Sequence, residues 1–505
     1  MLKVLNTIDL KKELKIQREK NNKIVQCHGV FDLLHIGHVK YFKSAKNFGD
    51  FLIVTITSDR FVNKGIGRPI FNQSLRAEMI AALETVDAVY ISDSSTALDT
   101  INLIRPNVYY KGPDYRDLSQ DKTKNIVREI KEVKKYGGTF KTSNDIVFSS
   151  SHLINSEFHL FNEKQKYFLN QISKKYNFNF IFDKINSLKK AKVLLIGETI
   201  IDQYTFGEVL GKSGKEPHLV IKNDLEENYL GGAGAIANHL SSFCKYINFL
   251  TIIGEKKEYY SFIKNSLKDN IKSYIFLKKN SPTIIKKRFI DSVTKSKLLG
   301  VYSINDQKLD IILEKKIQNS IKKLSKKSDL IIISDYGHGM LSENTVKFIQ
   351  SFNKFIALNA QVNAANYGYH SLSKYKKIDI LVINENELRH EMRDKKSDLE
   401  KISYLLINKF KIKVLIVTKG SEGSMLIRKN LKPIYCPAFA NKIVDKVGAG
   451  DAMLAIVSLC LKFELPDDLT LYLGSLAAAT SVESIGNSIF VDKNKLLRQL
   501  EYSIK

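Results

Sequence analysis

Short apolar runs that alternate with stretches of helical spacing constrain this chain more than any other feature. Lys23–Cys27 and Phe51–Thr57 read as buried strands, and His35–Phe48 and Ser74–Thr85 carry apolar residues at helical intervals. Helices between successive buried strands return the chain in the same direction, so the strands lie parallel with both faces covered. The alternation resumes at Ala191, with strands expected at Lys192–Ile196, Leu330–Ser334, Ile378–Ile383 and Lys413–Thr418. The expected fold class is α/β, with two doubly wound parallel-sheet domains. The stretch Asn155–Lys190 has helical spacing and no glycine, so it is expected to connect them. The expected domains are residues 1–154, the helical connector 155–190, and residues 191–505, with no repeat relating the halves.

Composition removes several function classes. A chain of 505 residues with 44% apolar content sustains large cores, which excludes a disordered protein. Its apolar runs fall short of the roughly 18 residues that a membrane span needs. Met1–Asn22 is rich in Lys and Glu and has no signal-peptide core, so a cytoplasmic location is expected. The net charge of +26 is spread along the whole chain rather than gathered in a stripe. Solvated lysines are therefore expected, not a nucleic-acid or membrane partner. Cys27, Cys244, Cys436 and Cys460 lack metal-ligand spacing and are expected to be reduced and buried.

The first chemical motif follows the first strand directly: His28-Gly-Val-Phe-Asp-Leu-Leu-His-Ile-Gly-His38. A glycine at a strand end lets a ligand approach the backbone, and free N–H groups with the helix dipole point at the same spot. His35 and His38, three residues apart, share a helix face. The plain alternative is a pair of buried histidines or half a metal site. The strand, the glycine and the lead-in together favour phosphate binding. These residues resemble the cytidylyltransferase-like nucleotidyltransferases over about residues 23 to 155. The resemblance implies that His35 and His38 contact nucleotide phosphates and stabilise attack on the α-phosphate. It implies nucleotide-binding roles for Gly29, Phe31, Asp32, Lys64, Arg76 and the triplet Ser149, Ser150 and Ser151, which stands where the family shows Ser-Thr-Thr. Lys111-Gly-Pro-Asp-Tyr115 is a further family-like stretch. Plain surface charge is the alternative for Lys64 and Arg76.

The second motif is Asp445-Lys-Val-Gly-Ala-Gly-Asp451, followed by the helical run Ala452–Phe463. Two glycines ahead of a helix expose its N–H groups as an anion hole, and Asp451 beside them could take a proton from an attacking hydroxyl. Alone it could be a tight turn with Asp as a cap. Its company resembles the ribokinase-type (PfkB) carbohydrate kinases from about residue 190 to 495: Gly197-Glu-Thr-Ile-Ile-Asp202, Gly231-Gly-Ala-Gly234, Ser334-Asp-Tyr-Gly-His-Gly339, Asn384-Glu-Asn-Glu387 and Thr418-Lys-Gly-Ser-Glu-Gly423. The resemblance implies Asp451 as catalytic base, with Gly448, Ala449 and Gly450 as the anion hole. Asp202, Gly231 and Gly232 would meet the sugar. Asn384, Thr418, Gly420, Gly423 and Glu387 would serve nucleotide and phosphate, with Glu387 also at magnesium. Two departures leave the sugar open: Ala235 and Ile236 stand where an Asn often follows the glycine pair, with Asn238 displaced, and Leu358-Asn-Ala-Gln361 lacks an Asp-Pro-Lys-like sequence.

Together the two domains resemble the bifunctional heptose 7-phosphate kinase/heptose 1-phosphate adenylyltransferases of ADP-heptose and lipopolysaccharide synthesis, with the domain order reversed. The resemblance implies ATP, Mg2+, and ATP or CTP as nucleotidyl donor, with sugar phosphates and nucleotides as small-molecule partners; a homo-oligomer is compatible with it. Two other readings stand beside it: a transferase whose kinase-like domain senses sugar phosphate, and a basic nucleic-acid binder.

Overall fold

A computed structural model of the chain describes residues 3–62, 68–115, 125–143, 161–363 and 365–504. The chain divides into two compact units, one ending at Asn162 and one beginning at Glu163.

The first unit is built on six parallel strands in the order Val4–Leu5, Ala88–Ser92, Phe51–Thr57, Ile24–Gly29, Val108–Lys111 and Thr139–Thr142. Val25, Cys27, Leu52, Val54 and Ile56 are fully buried, as strands covered on both faces require. After Ile24–Gly29 the chain builds first to one side, then to the other. The carboxyl end of that strand is therefore a topological switch point, where doubly wound sheets open a crevice. The His28–His38 motif stands there.

In the second unit a nine-stranded sheet runs Ile271–Lys278, Tyr246–Gly254, Lys192–Gly197, Leu330–Asp335, Phe355–Ala360, Ile378–Asn384, Ile412–Thr418, Ser424–Arg428 and Ile434–Cys436. The first seven strands are parallel and the last two antiparallel. The helix Ala449–Lys462 is apolar almost all round and buried from Asp451 to Leu461, as a helix beneath a core must be. The helices Glu163–Lys175 and Phe178–Ser187 belong to this unit: Phe168 meets the Tyr472 ring edge-on, and the Tyr176 hydroxyl donates to Asp468 at 2.8 Å. The four cysteines are free and buried.

The sequence reading did not foresee a separate four-stranded sheet in the order Lys297–Ser303, Ile285–Asp291, Thr199–Lys212 and Leu219–Gly232. One of its strands starts at Thr199, two residues beyond the core strand ending at Gly197. Another runs through Gly232 into the helix Ala233–Ser241. This small sheet, termed the lid below, is thus continuous with the elements that carry the second motif's partners, and its Tyr204 and Lys297 side chains bond Asp445 at the start of that motif. Among the described residues no helix is long and apolar enough to cross a membrane.

Candidate functional site

At the first site His35 caps the helix Ile36–Lys46, its Nδ1 accepting the Gly37 N–H at 3.1 Å. The His35 and His38 rings stack with centroids 4.0 Å apart, and both side chains are partly exposed. They form one imidazole face at a helix N-terminus, the arrangement expected to receive phosphate. Phe31 sets its outer wall: buried, with φ of 48°, it meets His38 edge-on at 5.3 Å. A Cβ on Gly29 would fall 2.9 Å from the Phe31 ring, so that glycine makes room for the ring. His28 stays neutral in the core, pushed down to about 3 by burial and then by Lys111, with Nδ1 2.9 Å from the Thr55 hydroxyl. Lys111 donates to the His28 carbonyl at 3.1 Å, which brings its ammonium to the strand end.

Two residues expected at the phosphate belong instead to the frame. Arg76 is fully buried; it donates to the carbonyls of Phe71, Val30 and Thr57 at 2.9, 2.6 and 2.9 Å and to Asp59 at 2.6 Å. A guanidinium so engaged has no face for a ligand; it ties the His-motif loop to the neighbouring strand end. Asp32 is likewise buried, pairing with Arg68 and accepting the N–H groups of Ile70 and Phe71 at 2.7 and 3.1 Å. Spacing alone could not separate buried from exposed charge here. Lys64, Ser149, Ser150 and Ser151 lie outside the described residues.

The second site centres on Asp451, in the first turn of Ala449–Lys462. Gly448 enters this helix with φ of 88°, and a Cβ there would stand 2.2 Å from Asn487 Oδ1, so only glycine fits. Around Gly450 the space is open, which leaves the N–H groups of the first turn approachable. Asp451 is 5% exposed, and burial pushes its carboxyl up to about 7 against the opposing pull of a hydrogen bond from Tyr336, 2.7 Å from Oδ1. A carboxylate poised near neutrality is a competent general base.

The lid supplies the facing wall. Asp202 pairs with Arg288 at 2.7 Å, and a Cβ on Gly231 would sit 2.0 Å from Asp202 Oδ2, so the glycine admits that carboxylate. Gly232, with φ of 57°, turns the chain into the helix beyond. Lys286 is buried two residues from Arg288 on the same strand, hence on the same face. Burial pulls its ammonium below the ordinary value, against the field of Asp202. The sequence reading missed both cations; the run Lys286-Lys287-Arg288 between apolar pairs was the available signal, since period two puts its first and third members on one face. Asn238 is no sugar ligand: buried, it bonds the Ser266 carbonyl at 2.8 Å and the Lys268 N–H at 3.2 Å.

Asn384 and Glu387 form a capping box on the helix Glu385–Met392, Asn384 Oδ1 accepting the Glu387 N–H at 2.8 Å and Glu387 Oε2 the Asn384 N–H at 3.0 Å. Glu387 Oε1 accepts from Val362 N–H at 3.2 Å, and burial pushes the carboxyl up to about 7. Among the described residues no three His, Cys, Asp or Glu gather as a metal cage. The carboxylate of Glu387 and the amide oxygen of Asn384 are oxygen donors, the type that magnesium takes. Thr418 ends a core strand. Gly420 and Gly423 make the turn after it with φ of 59° and 98°, and a Cβ on Gly423 would meet the Cys436 carbonyl at 2.1 Å.

A parallel sheet that shelters a carboxylate behind a glycine-opened helix, under a lid bearing cations, has the layout of a ribokinase-like sugar kinase. The chain belongs to the pfkB family of carbohydrate kinases, whose match covers residues 190–494. Residues 27–157 match the cytidylyltransferase-like family. The chain is similar to "Bifunctional protein HldE" of Methylobacillus flagellatus, 43% identical over 138 residues, which are 27% of each chain. It is also similar to the protein of the same name from Campylobacter jejuni, 27% identical over 323 residues, 63% of this chain and 67% of that one. The chain thus spans between about a quarter and two thirds of these relatives' length. The fold also resembles phosphofructokinase-2 from Escherichia coli, solved in complex with potassium: TM-score 0.51, 14% identity, covering 62% of this chain and all of that one.

Proposed function

We propose that the chain is a bifunctional enzyme of nucleotide-sugar synthesis, phosphorylating a sugar phosphate of the heptose 7-phosphate type and transferring a nucleotidyl group from ATP or CTP to a sugar 1-phosphate. The observation that carries this reading is Asp451, a buried base at a helix N-terminus, within the field of Lys286. Lys286 and Arg288 on one lid strand favour an acceptor that already bears a phosphate, since an anion placed beside them would gain charge-assisted hydrogen bonds.

In the kinase unit the acceptor hydroxyl gives its proton to Asp451 as its oxygen joins the γ-phosphorus of ATP. The first-turn N–H groups from Gly448 to Gly450 stabilise charge on the transferred group, and the lid excludes water. Magnesium would supply charge neutralisation on the phosphates, and Glu387 is the residue that would hold it. In the first unit the imidazoles of His35 and His38 bind the donor phosphates while a sugar 1-phosphate oxygen attacks the α-phosphorus and pyrophosphate leaves.

Incubation with ATP, CTP and a panel of heptose and hexose phosphates, read by mass spectrometry, tests the proposal. A nucleotide-sugar with release of ADP and pyrophosphate is the expected outcome. Pyrophosphate without ADP would reduce the second unit to a sugar-phosphate sensor, and neither product would sink both halves.

A further inference from the structure

One side chain at the second site has no part in the chemistry above and yet touches its base. Tyr336 is buried, on the loop after the strand Leu330–Asp335, and its hydroxyl donates to Asp451 Oδ1 at 2.7 Å. The loop does not rest there by chance. Glu198, wholly buried where the core strand passes into the lid, accepts the N–H groups of Tyr336, His338 and Met340 at 3.1, 3.2 and 3.4 Å. The side-chain amides of Asn363 and Asn366 hold the Tyr336 carbonyl at 3.0 and 2.8 Å. Backbone on both sides of the phenol is thus pinned, and the phenol has one orientation to offer.

We propose that Tyr336 is the positioning residue of the catalytic base: its phenol occupies Oδ1 of Asp451 and leaves Oδ2 to meet the acceptor hydroxyl. In the transfer the acceptor O–H proton passes to Oδ2. The hydroxyl oxygen forms the new bond to the γ-phosphorus, the bond from that phosphorus to the β,γ-bridging oxygen breaks, and ADP leaves with the electron pair. The phenol keeps its proton throughout, because burial and then the Asp451 charge hold it well above its ordinary value. A neutral donor on one oxygen favours the charged carboxylate, so the phenol also lowers the pH at which the base becomes available. The other charged groups acting on Asp451 are Asp202 and Lys286 from the lid and Glu387 from the helix Glu385–Met392; Asp202 and Glu387 oppose the carboxylate's charge and Lys286 supports it.

This inference rests on the kinase reading, so its test includes a readout that needs no turnover. In the full chain, Tyr336→Phe should move the acid limb of kcat/KM for ADP release upward by about one pH unit, the shift expected when a charge-assisted hydrogen bond is lost. The Asp451 carboxylate band, isolated as the infrared difference between the unaltered chain and Asp451→Asn without acceptor, should titrate upward in a Tyr336→Phe background by the same amount. Should Tyr336→Phe not fold, 3-fluorotyrosine placed at position 336 keeps the shape, strengthens the donor and should move both readouts downward. A slower enzyme with an unmoved limb and an unmoved carboxylate band would overturn the proposal. Absence of ADP release from the unaltered chain with every acceptor would defeat the kinase reading alone, and the infrared titration would still decide the role of Tyr336.

Discussion

Both candidate sites open at a helix N-terminus, yet they handle charge in opposite ways. At the first, the groups offered to a ligand are two partly exposed imidazoles, while the buried charges Asp32, Arg68 and Arg76 are consumed in holding the loops. At the second, the chemical group itself is buried, and the buried Lys286 of a separate sheet acts on it. Binding phosphate asks only for donors in place. A carboxylate asked to act as a base near neutral pH must also be desolvated, and that needs a wall on every side. The lid therefore belongs to the second site, and the described residues of the first unit form one sheet with no counterpart to it.

Removing each site's reacting groups is the strongest way to break this comparison. Asp451→Asn keeps the shape and removes the base, so ADP release should fall by about 10³-fold, in line with the contribution of a positioned general base, while pyrophosphate release is unchanged. Paired initial-rate assays check it; equal losses in both would mean that the sites are not separate. The double substitution His35→Ala and His38→Ala should lower pyrophosphate release by about 10²-fold or more, the scale of a lost preorganised donor, and leave ADP release untouched. A smaller loss would return the histidines to a packing role.

Much of this contrast was legible in the chain and part of it was not, for physical reasons. The parallel strands were readable because burial on both faces demands unbroken apolar runs, and Lys192–Gly197 and Ile412–Thr418 stand close to where those runs place them. The glycines at 448 and 450 were readable as an opening at a helix start and Gly231 only through the resemblance, and the structure adds what stands against Gly448 and Gly231, the Asn487 and Asp202 side chains. The lid escaped notice because composition and burial do not run together in it: Lys297–Ser303 is exposed along its whole length although it carries Leu298, Leu299 and Val301, and Thr199–Lys212 is buried over its first nine residues, so period-two alternation is blurred. Arg76 was misread because nothing in the sequence near it announces the two backbone carbonyls, of Val30 and Thr57, that arrive from elsewhere in the fold.

That misreading makes a sharper test of how the first site spends its charge. Arg76→Met removes the donors and leaves the carbonyls of Phe71, Val30 and Thr57 without this partner, while the partly exposed Asp59 can turn to water. The first unit should lose about 3 kcal/mol, the scale for stranding buried acceptors. Calorimetry resolving the two units should show only the lower-numbered one melting earlier. A variant of undiminished stability that binds ATP more weakly would instead put Arg76 at the phosphates.

The smallest effect concerns the second site alone and has the opposite sign. Asp451 has a folded value raised to about 7 from an ordinary value of 3.8. A carboxyl raised in this way gives stability that is fully present below its unfolded value and is lost as pH rises through its folded value. Above pH 7 the second unit therefore carries a buried charge that it would be more stable without. Asp451→Asn, which is inactive by the first prediction, should then unfold at a higher temperature than the unaltered chain at pH 8, by the equivalent of on the order of 2 kcal/mol, and show little difference at pH 4. The first unit's transition should not move at either pH. An Asn variant that is less stable at pH 8 would mean that the Tyr336 bond to the carboxylate outweighs the cost of burying it, and the base would then be held by its partner more than strained by its surroundings.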